Sequence, residues 1–174
     1  MALIEEGKIL TSIEGRLFGL DPAGNLVLDT ATHMPLTPSL GYESLVGKMI
    51  PYNFAITNAV GASANICNVS FQLQDVFGNP ISTVFGFDLY LSDAATGVGL
   101  TATTASGGIA AVASDGTILG ILTASKALGV TTNASGLFVL AITDTAKTLF
   151  YPCASSPSGA IQVGAQLTTA SYHA

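Results

Sequence analysis

The chain has 174 residues, enough for one large domain or for a medium domain with a substantial appendage, and enough to bury a core without disulfide or metal staples. Asp, Glu, Lys and Arg make up 9% of it, against roughly 25% in an ordinary soluble domain, while apolar residues reach 49% and mean hydropathy is +0.57. Net charge is −6, and Arg16, Lys8, Lys48, Lys126 and Lys147 are scattered, which excludes the clustered cations that nucleic acid or an anionic membrane surface requires.

The first residues, Met1-Ala2-Leu3-Ile4-Glu5-Glu6, are acidic where a secretory leader is basic and then apolar, so synthesis and assembly in a cytoplasm are expected. Arg16 to Leu20 and Leu26 to Leu28 are apolar runs on either side of Asp21-Pro22-Ala23-Gly24-Asn25, a hairpin signal. Residues 30–51 hold Pro35, Pro38 and Pro51 and little periodicity. Proline removes backbone donors and favours extended chain, so this stretch reads as an arm or long loop that leans on its own domain or on a neighbour. We therefore expect residues 1–65 to form an N-terminal hairpin and arm for assembly contacts, and residues 66–174 to form the main domain.

From Asn68 the alternation is clear. Val69, Phe71 and Leu73 share one face and Ser70, Gln72 and Gln74 the other, the mark of a half-buried strand. Asp75 to Pro80 supplies a turn, with Gly78 and Asn79 tolerating positive φ. The next run places Phe85, Phe87, Leu89 and Leu91 on one face. Residues 92–116 are rich in Ala, Thr, Gly and Ser and predict short edge strands with an exposed loop. Further strands are expected over 117–123, 128–132 and 137–143, with a turn at Asn133 to Gly136. Asp144 is placed to cap a short helical corner, and residues 147–151 and 160–168 read as final strands. Strands at this spacing indicate a sandwich or barrel, and no sustained amphipathic helix is present.

The chemistry-bearing residues are sparse. His33 and His173 are the only histidines, and neither has the surroundings of a nucleophile elbow or a His-Glu-x-x-His pair. Glu5 with Glu6, or Asp88 with Asp93, could act as an acid/base pair, but solvated turn and strand-face positions explain them better. Asp21, Asp75 and Asp115 each precede a nearby Gly, as turn chemistry requires, and no Asp-x-Asp-x-Asp loop exists for calcium. Gly97-Val98-Gly99 lacks the Lys and the helix of a phosphate loop. Cys67 and Cys153 could meet across a sandwich, although two buried free thiols are the simpler reading. No catalytic, metal or cofactor-binding residue is assigned, and no cofactor is expected.

Two stretches resemble the bacterial immunoglobulin-like repeat of the invasin and intimin type. One is Val69-Ser70-Phe71-Gln72-Leu73-Gln74-Asp75 running into Gly78-Asn79-Pro80-Ile81-Ser82; the other is Thr132-Asn133-Ala134-Ser135-Gly136 followed by Leu137 to Ile142. The chain departs from that repeat where Phe85, Phe87 and Leu89 replace an Ala-rich strand, and its first 65 residues have no counterpart. The segments from Phe87 to Gly97 and from Ala141 to Lys147 are also similar to accessory virion proteins of tailed bacteriophages, which carry such domains on heads or tails. The resemblance implies an all-β, immunoglobulin-like β-sandwich in a non-enzymatic virion structural protein. Its expected role is that of a capsid decoration or cement protein binding the major capsid protein or copies of itself, with no nucleic-acid or membrane partner. A tail component, or a host-surface or carbohydrate-binding module using residues 97–108, is the alternative. The partner-binding residues expected are Phe18 and Leu20 in the hairpin and Leu36, Leu40 and Tyr42 in the arm, with a local mini-core as their other possible role.

Overall fold

A computed structural model describes residues 51–174 in full and, before them, the backbone of five strands. Two compact units are resolved by their internal packing, Met1–Ile50 and Pro51–Ala174. In the first, β1 (Ile4–Glu5) pairs with β2 (Lys8–Ile9), and β3 (Thr11–Ile13), β4 (Arg16–Leu20) and β5 (Leu26–Asp29) form an antiparallel three-stranded sheet. The hairpin expected from the Pro/Gly/Asn loop is β4 paired with β5, in the register Phe18↔Leu28 and Leu20↔Leu26. The arm that was expected to follow it lies outside the described residues.

The second unit is a sandwich of two antiparallel sheets. The first sheet runs β6 (Asn53–Val60), β7 (Ile66–Gln74), β12 (Leu137–Thr143), β9 (Gly108–Ala111). The second runs β10 (Thr117–Thr123), β11 (Ala127–Thr131), β8 (Gly86–Ser92), β13 (Tyr151–Ser155), β14 (Ile161–Val163). Among the described residues helix is confined to one 3-10 turn, Thr169–Ser171. The all-β sandwich read from the sequence is the fold that forms.

Alternation explains the core. On β7, Cys67, Val69, Phe71 and Leu73 are all fully buried, and β12 sets Ile142, Leu140 and Phe138 opposite the first three. On β8, Phe87, Leu89 and Leu91 point inward, with Val130 and Leu128 of β11 opposite Phe87 and Leu89. Four rings join the sheets. Phe87 of the second sheet lies 4.3 Å from Phe54, 5.9 Å from Phe71 and 6.1 Å edge-on from Phe138, measured between ring centroids. Rings at these separations gain about 0.5–1.5 kcal/mol per pair beyond the area they bury.

Two polar turns close the same end of β7 and β12. The Asp75 carboxylate accepts from the Phe77 and Asn79 backbone amides at 2.9 and 2.8 Å, and Gly78 takes φ +82°. The Asn133 side-chain oxygen accepts from the Ser135 and Leu137 amides at 2.9 and 3.1 Å. Gly136 follows at φ +73°, and a Cβ there would sit 1.8 Å from the Ile81 carbonyl oxygen. The segment leaving the first turn therefore crosses directly over the second.

The structure departs from the sequence reading in four places, one of them the strand expected over 147–151, which forms instead at Tyr151–Ser155. The expected boundary at 65/66 falls within the hairpin of β6 and β7, because Asn53–Val60 pairs along its whole length with β7. The strand is hard to read because it lies at a sheet edge. Phe54 is buried, but residues 57–60 are exposed, so no two-residue period survives. The corner after β12 is a turn and not a helix: the Lys147 amide bonds to the Asp144 carbonyl at 3.2 Å, but Lys147 itself takes φ +51°, which ends any helical path. The tail forms a strand only over Ile161–Val163, and Leu167 beyond it is fully buried without being in one.

Truncating Phe71 to Ala should lower unfolding free energy by about 3–5 kcal/mol, because the ring is fully buried against Phe87 and Phe138. Urea denaturation followed by far-UV circular dichroism would show the midpoint falling with little change in slope.

Candidate interaction surface

The unit Pro51–Ala174 carries five aspartates, no glutamate, no arginine and two lysines. Most of these charges are engaged by loop backbone. Asp75 holds its own turn, as described. Asp144 is 1% exposed and binds two segments: its Oδ1 accepts from the Ser106 amide at 3.1 Å and its Oδ2 from the Thr148 amide at 2.7 Å. Burial pushes this carboxyl's pKa up, but the hydrogen bonds from Thr148 and Ser106 outweigh it and leave the group below its usual value.

Asp93 and Lys126 clamp a third loop. Asp93 accepts from the Thr101 hydroxyl at 2.5 Å and from the Ala102 amide at 2.8 Å, while Lys126 Nζ donates to the carbonyls of Thr101 and Ala102 at 2.8 Å each. The Thr101 hydroxyl and the Ala102 amide hold the Asp93 carboxyl below its ordinary value, with Lys126 adding to them. The segment 97–108, considered from the sequence as a contact loop, is thus anchored by Asp93, Lys126 and Asp144, with Thr101 and Ala105 buried. Its exposed large apolar residues are Val98 (73% exposed) and Leu100. Asp88 and Asp93, weighed as an acid/base pair, have different settings. Asp88 is exposed on β8, and both carboxylate oxygens of Asp93 are taken by the Thr101–Ala102 backbone and hydroxyl. Among the described residues no three His, Cys, Asp or Glu side chains gather as a metal site would need. No helix among them is long and apolar enough to cross a membrane.

Both cysteines are free and fully buried, and the strand register shows why they do not meet. Cys67 shares the inward face of β7 with Val69 and Phe71. Cys153 is opposite Tyr90 on β8, one step out of phase with the inward Leu89–Ala154 pair, so it lies on the outer face of the second sheet. There the loop at Gly97 covers it. A Cβ on Gly97 would lie 3.3 Å from Cys153 Sγ and under 3 Å from Val163 and Ile161, and the Tyr90 hydroxyl donates to the Gly97 carbonyl at 2.6 Å. Burial pushes each thiol's pKa up to about 11.

The exposed apolar surface concentrates on β10. Leu119, Ile121 and Leu122 are 68%, 71% and 58% exposed on a strand whose outer edge has no hydrogen-bonded partner among the described residues. Ile118 alone of its large side chains packs against the core. Two register irregularities leave Leu119 and Leu122 without opposite residues in β11. Sequence reading placed this strand correctly but did not single it out as a surface; the signal was its unbroken run Ile118-Leu119-Gly120-Ile121-Leu122, which lacks the alternation of a half-buried strand. Of the residues expected to bind a partner, Phe18 and Leu20 lie on β4, paired with Leu28 and Leu26 of β5. Leu36, Leu40 and Tyr42 lie outside the described residues.

Replacing Asp144 with Ala should cost about 1.5–3 kcal/mol at pH 7, since hydrogen bonds to a charged acceptor are lost from a buried corner. A carboxyl whose pKa is lowered by folding stabilises above its unfolded pKa and loses that contribution as pH falls through the folded value. The gap between wild type and Asp144→Ala should therefore close as urea midpoints are taken below about pH 4. At pH 8 the native thiols should react with an aromatic disulfide roughly two orders of magnitude more slowly than a free cysteine, and both should react at once in denaturant.

Compared with known proteins, the chain matches no family model, no curated protein and no solved structure.

Proposed function

We propose that this chain is a non-enzymatic structural protein of a bacteriophage virion, a decoration or cement protein that binds the major capsid protein or copies of itself. The observation that carries the reading is the state of the charges. The sandwich has few, Asp75, Asp93, Asp144 and Lys126 are turned to holding loops, and apart from Asp88, Asp115 and Lys147 what remains outside is hydroxyl, amide and apolar surface. Such a surface desolvates at low cost against another protein and offers little to an ionic ligand.

The reading treats the sandwich as immunoglobulin-like. In its favour, β6-β7-β12-β9 and β14-β13-β8 fall in the order of the A-B-E-D and G-F-C strands of that fold. The hairpin of β10 and β11 extends the second sheet beyond β8, and it enters the chain after β9 and not before it. The virion assignment draws on the resemblance of the segments around Phe87 to Gly97 and Ala141 to Lys147 to accessory phage proteins. In this reading Phe18, Leu20, Leu36, Leu40 and Tyr42 provide the contact with the particle.

The experiment is to purify native particles, separate heads from tails and quantify the chain by mass spectrometry. Hundreds of copies on heads are expected, with occupancy dropping when Leu36, Leu40 and Tyr42 are replaced together by Ala while the sandwich keeps its melting temperature. A few copies confined to tails would replace the decoration role by a tail role. Absence from particles, with saturable binding to isolated cell envelopes, would establish a host-surface module in its place.

A further inference from the structure

We propose that β10 is a homotypic contact: the apolar edge Thr117–Thr123 packs antiparallel against the same edge of a second copy, about a two-fold axis through Gly120. This goes beyond the virion reading and does not depend on it, since it concerns the chain by itself.

The strand is nearly its own mirror in sequence. Reading outward from Gly120, both directions give two large aliphatic residues and then a threonine: Leu119, Ile118, Thr117 on one side and Ile121, Leu122, Thr123 on the other. An isologous two-fold contact needs this property, because each residue must accept its symmetry-related counterpart. Centred on Gly120, the pairing sets Leu119 opposite the second copy's Ile121, Ile118 opposite its Leu122 and Thr117 opposite its Thr123.

Charge favours the same occupant. Residues 116–125 carry no charge, so two copies of net charge −6 can align here without bringing like charges together. The first charged residues beyond the strand are Asp115 at one end and Lys126 at the other. Antiparallel alignment therefore brings the Asp115 end of each copy towards the Lys126 end of the other. Of the devices that blunt an edge, the strand has two bulge-like irregularities but no lysine and no proline. Its two irregularities leave Leu119 and Leu122 without opposite residues in β11, and both are exposed.

The area sets the strength. Three aliphatic side chains with these exposures offer a few hundred Å² per copy, below the roughly 800 Å² per partner of a stable interface. The dimer is consequently weak in dilute solution and gains occupancy when copies are held close together.

Sedimentation equilibrium of the full chain from about 5 μM to 1 mM should show a reversible monomer–dimer equilibrium, weakened at least tenfold in Ile121→Lys, where the loss is 1.4 kcal/mol or more. Ile121 is largely exposed, so the variant should keep the wild-type urea midpoint. Gly120→Cys tests the register. A Cβ at Gly120 meets nothing within 4 Å and its backbone is not left-handed, while the native thiols are buried. On mild oxidation it should form a linked dimer far faster than Val98→Cys, a control at another exposed position. A monomer throughout the range, a dimer indifferent to Ile121→Lys, or equal cross-linking at positions 120 and 98 would each overturn the proposal. None of these results would bear on whether the protein is found on phage heads.

Discussion

Phe87 is the only ring of the central aromatic cluster that comes from the second sheet, and Phe54, Phe71 and Phe138 of the first sheet converge on it. The two sheets share no backbone hydrogen bonds within their ladders, so their attachment depends on side-chain packing, and this cluster is its centre. The constraint fixes more than the core. With Phe87 inward, strict alternation sends Asp88 and Tyr90 to the outer face of β8, and Tyr90 then meets Cys153 and the loop at Gly97. The layer outside the second sheet is thus a consequence of the packing inside it.

How much of this was legible depended on where each strand sits. β7 and β12 are central and flanked on both sides; β7 carries a clean two-residue period that reads directly, and β12 reads as a strand from its dense apolar run. At the edges the period decays. β6 is buried only near its start, and the unit boundary was consequently expected some fifteen residues too late in the chain. β10 was recognised as a strand by its composition, yet its exposure could not be read, because whether Leu119 and Ile121 find cover is decided by the neighbours of β10 and not by its own sequence. The corner at Asp144 shows a local version of the same limit. The capping carboxylate was identified, but the left-handed backbone of Lys147, a residue with no preference for that conformation, made the corner a turn.

The polar residues were read by type more easily than by partner. Asp75 with Gly78 and Asn133 with Gly136 announce turns within a few residues, since donor and acceptor are close in sequence. Asp93, Asp144 and Lys126 act over long separations: Asp144 reaches Ser106, and Lys126 reaches Thr101 and Ala102. No local pattern reports such ties. They nevertheless account for why the Thr/Gly-rich segment after β8, which resembles a flexible loop in composition, is fastened at several points, with Thr101 and Ala105 buried. The two cysteines are buried free thiols, as the simpler sequence reading had it, and the reason they do not meet is again non-local: phase along β13 decides which side Cys153 faces, and a proline at 152 obscures that phase in sequence.

The engagement of carboxylates and ammonium by loop backbone has a consequence for the medium in which the protein works. Salt weakens interactions between exposed charges separated by more than a Debye length, about 8 Å at physiological ionic strength, and acts far less on groups held in buried hydrogen bonds. A sandwich whose Asp144 is buried, whose Asp93 and Lys126 are tied to the same two residues, and whose β10 surface is aliphatic has few long-range charge interactions to screen. Its folding should then change little between dilute fresh water and brine.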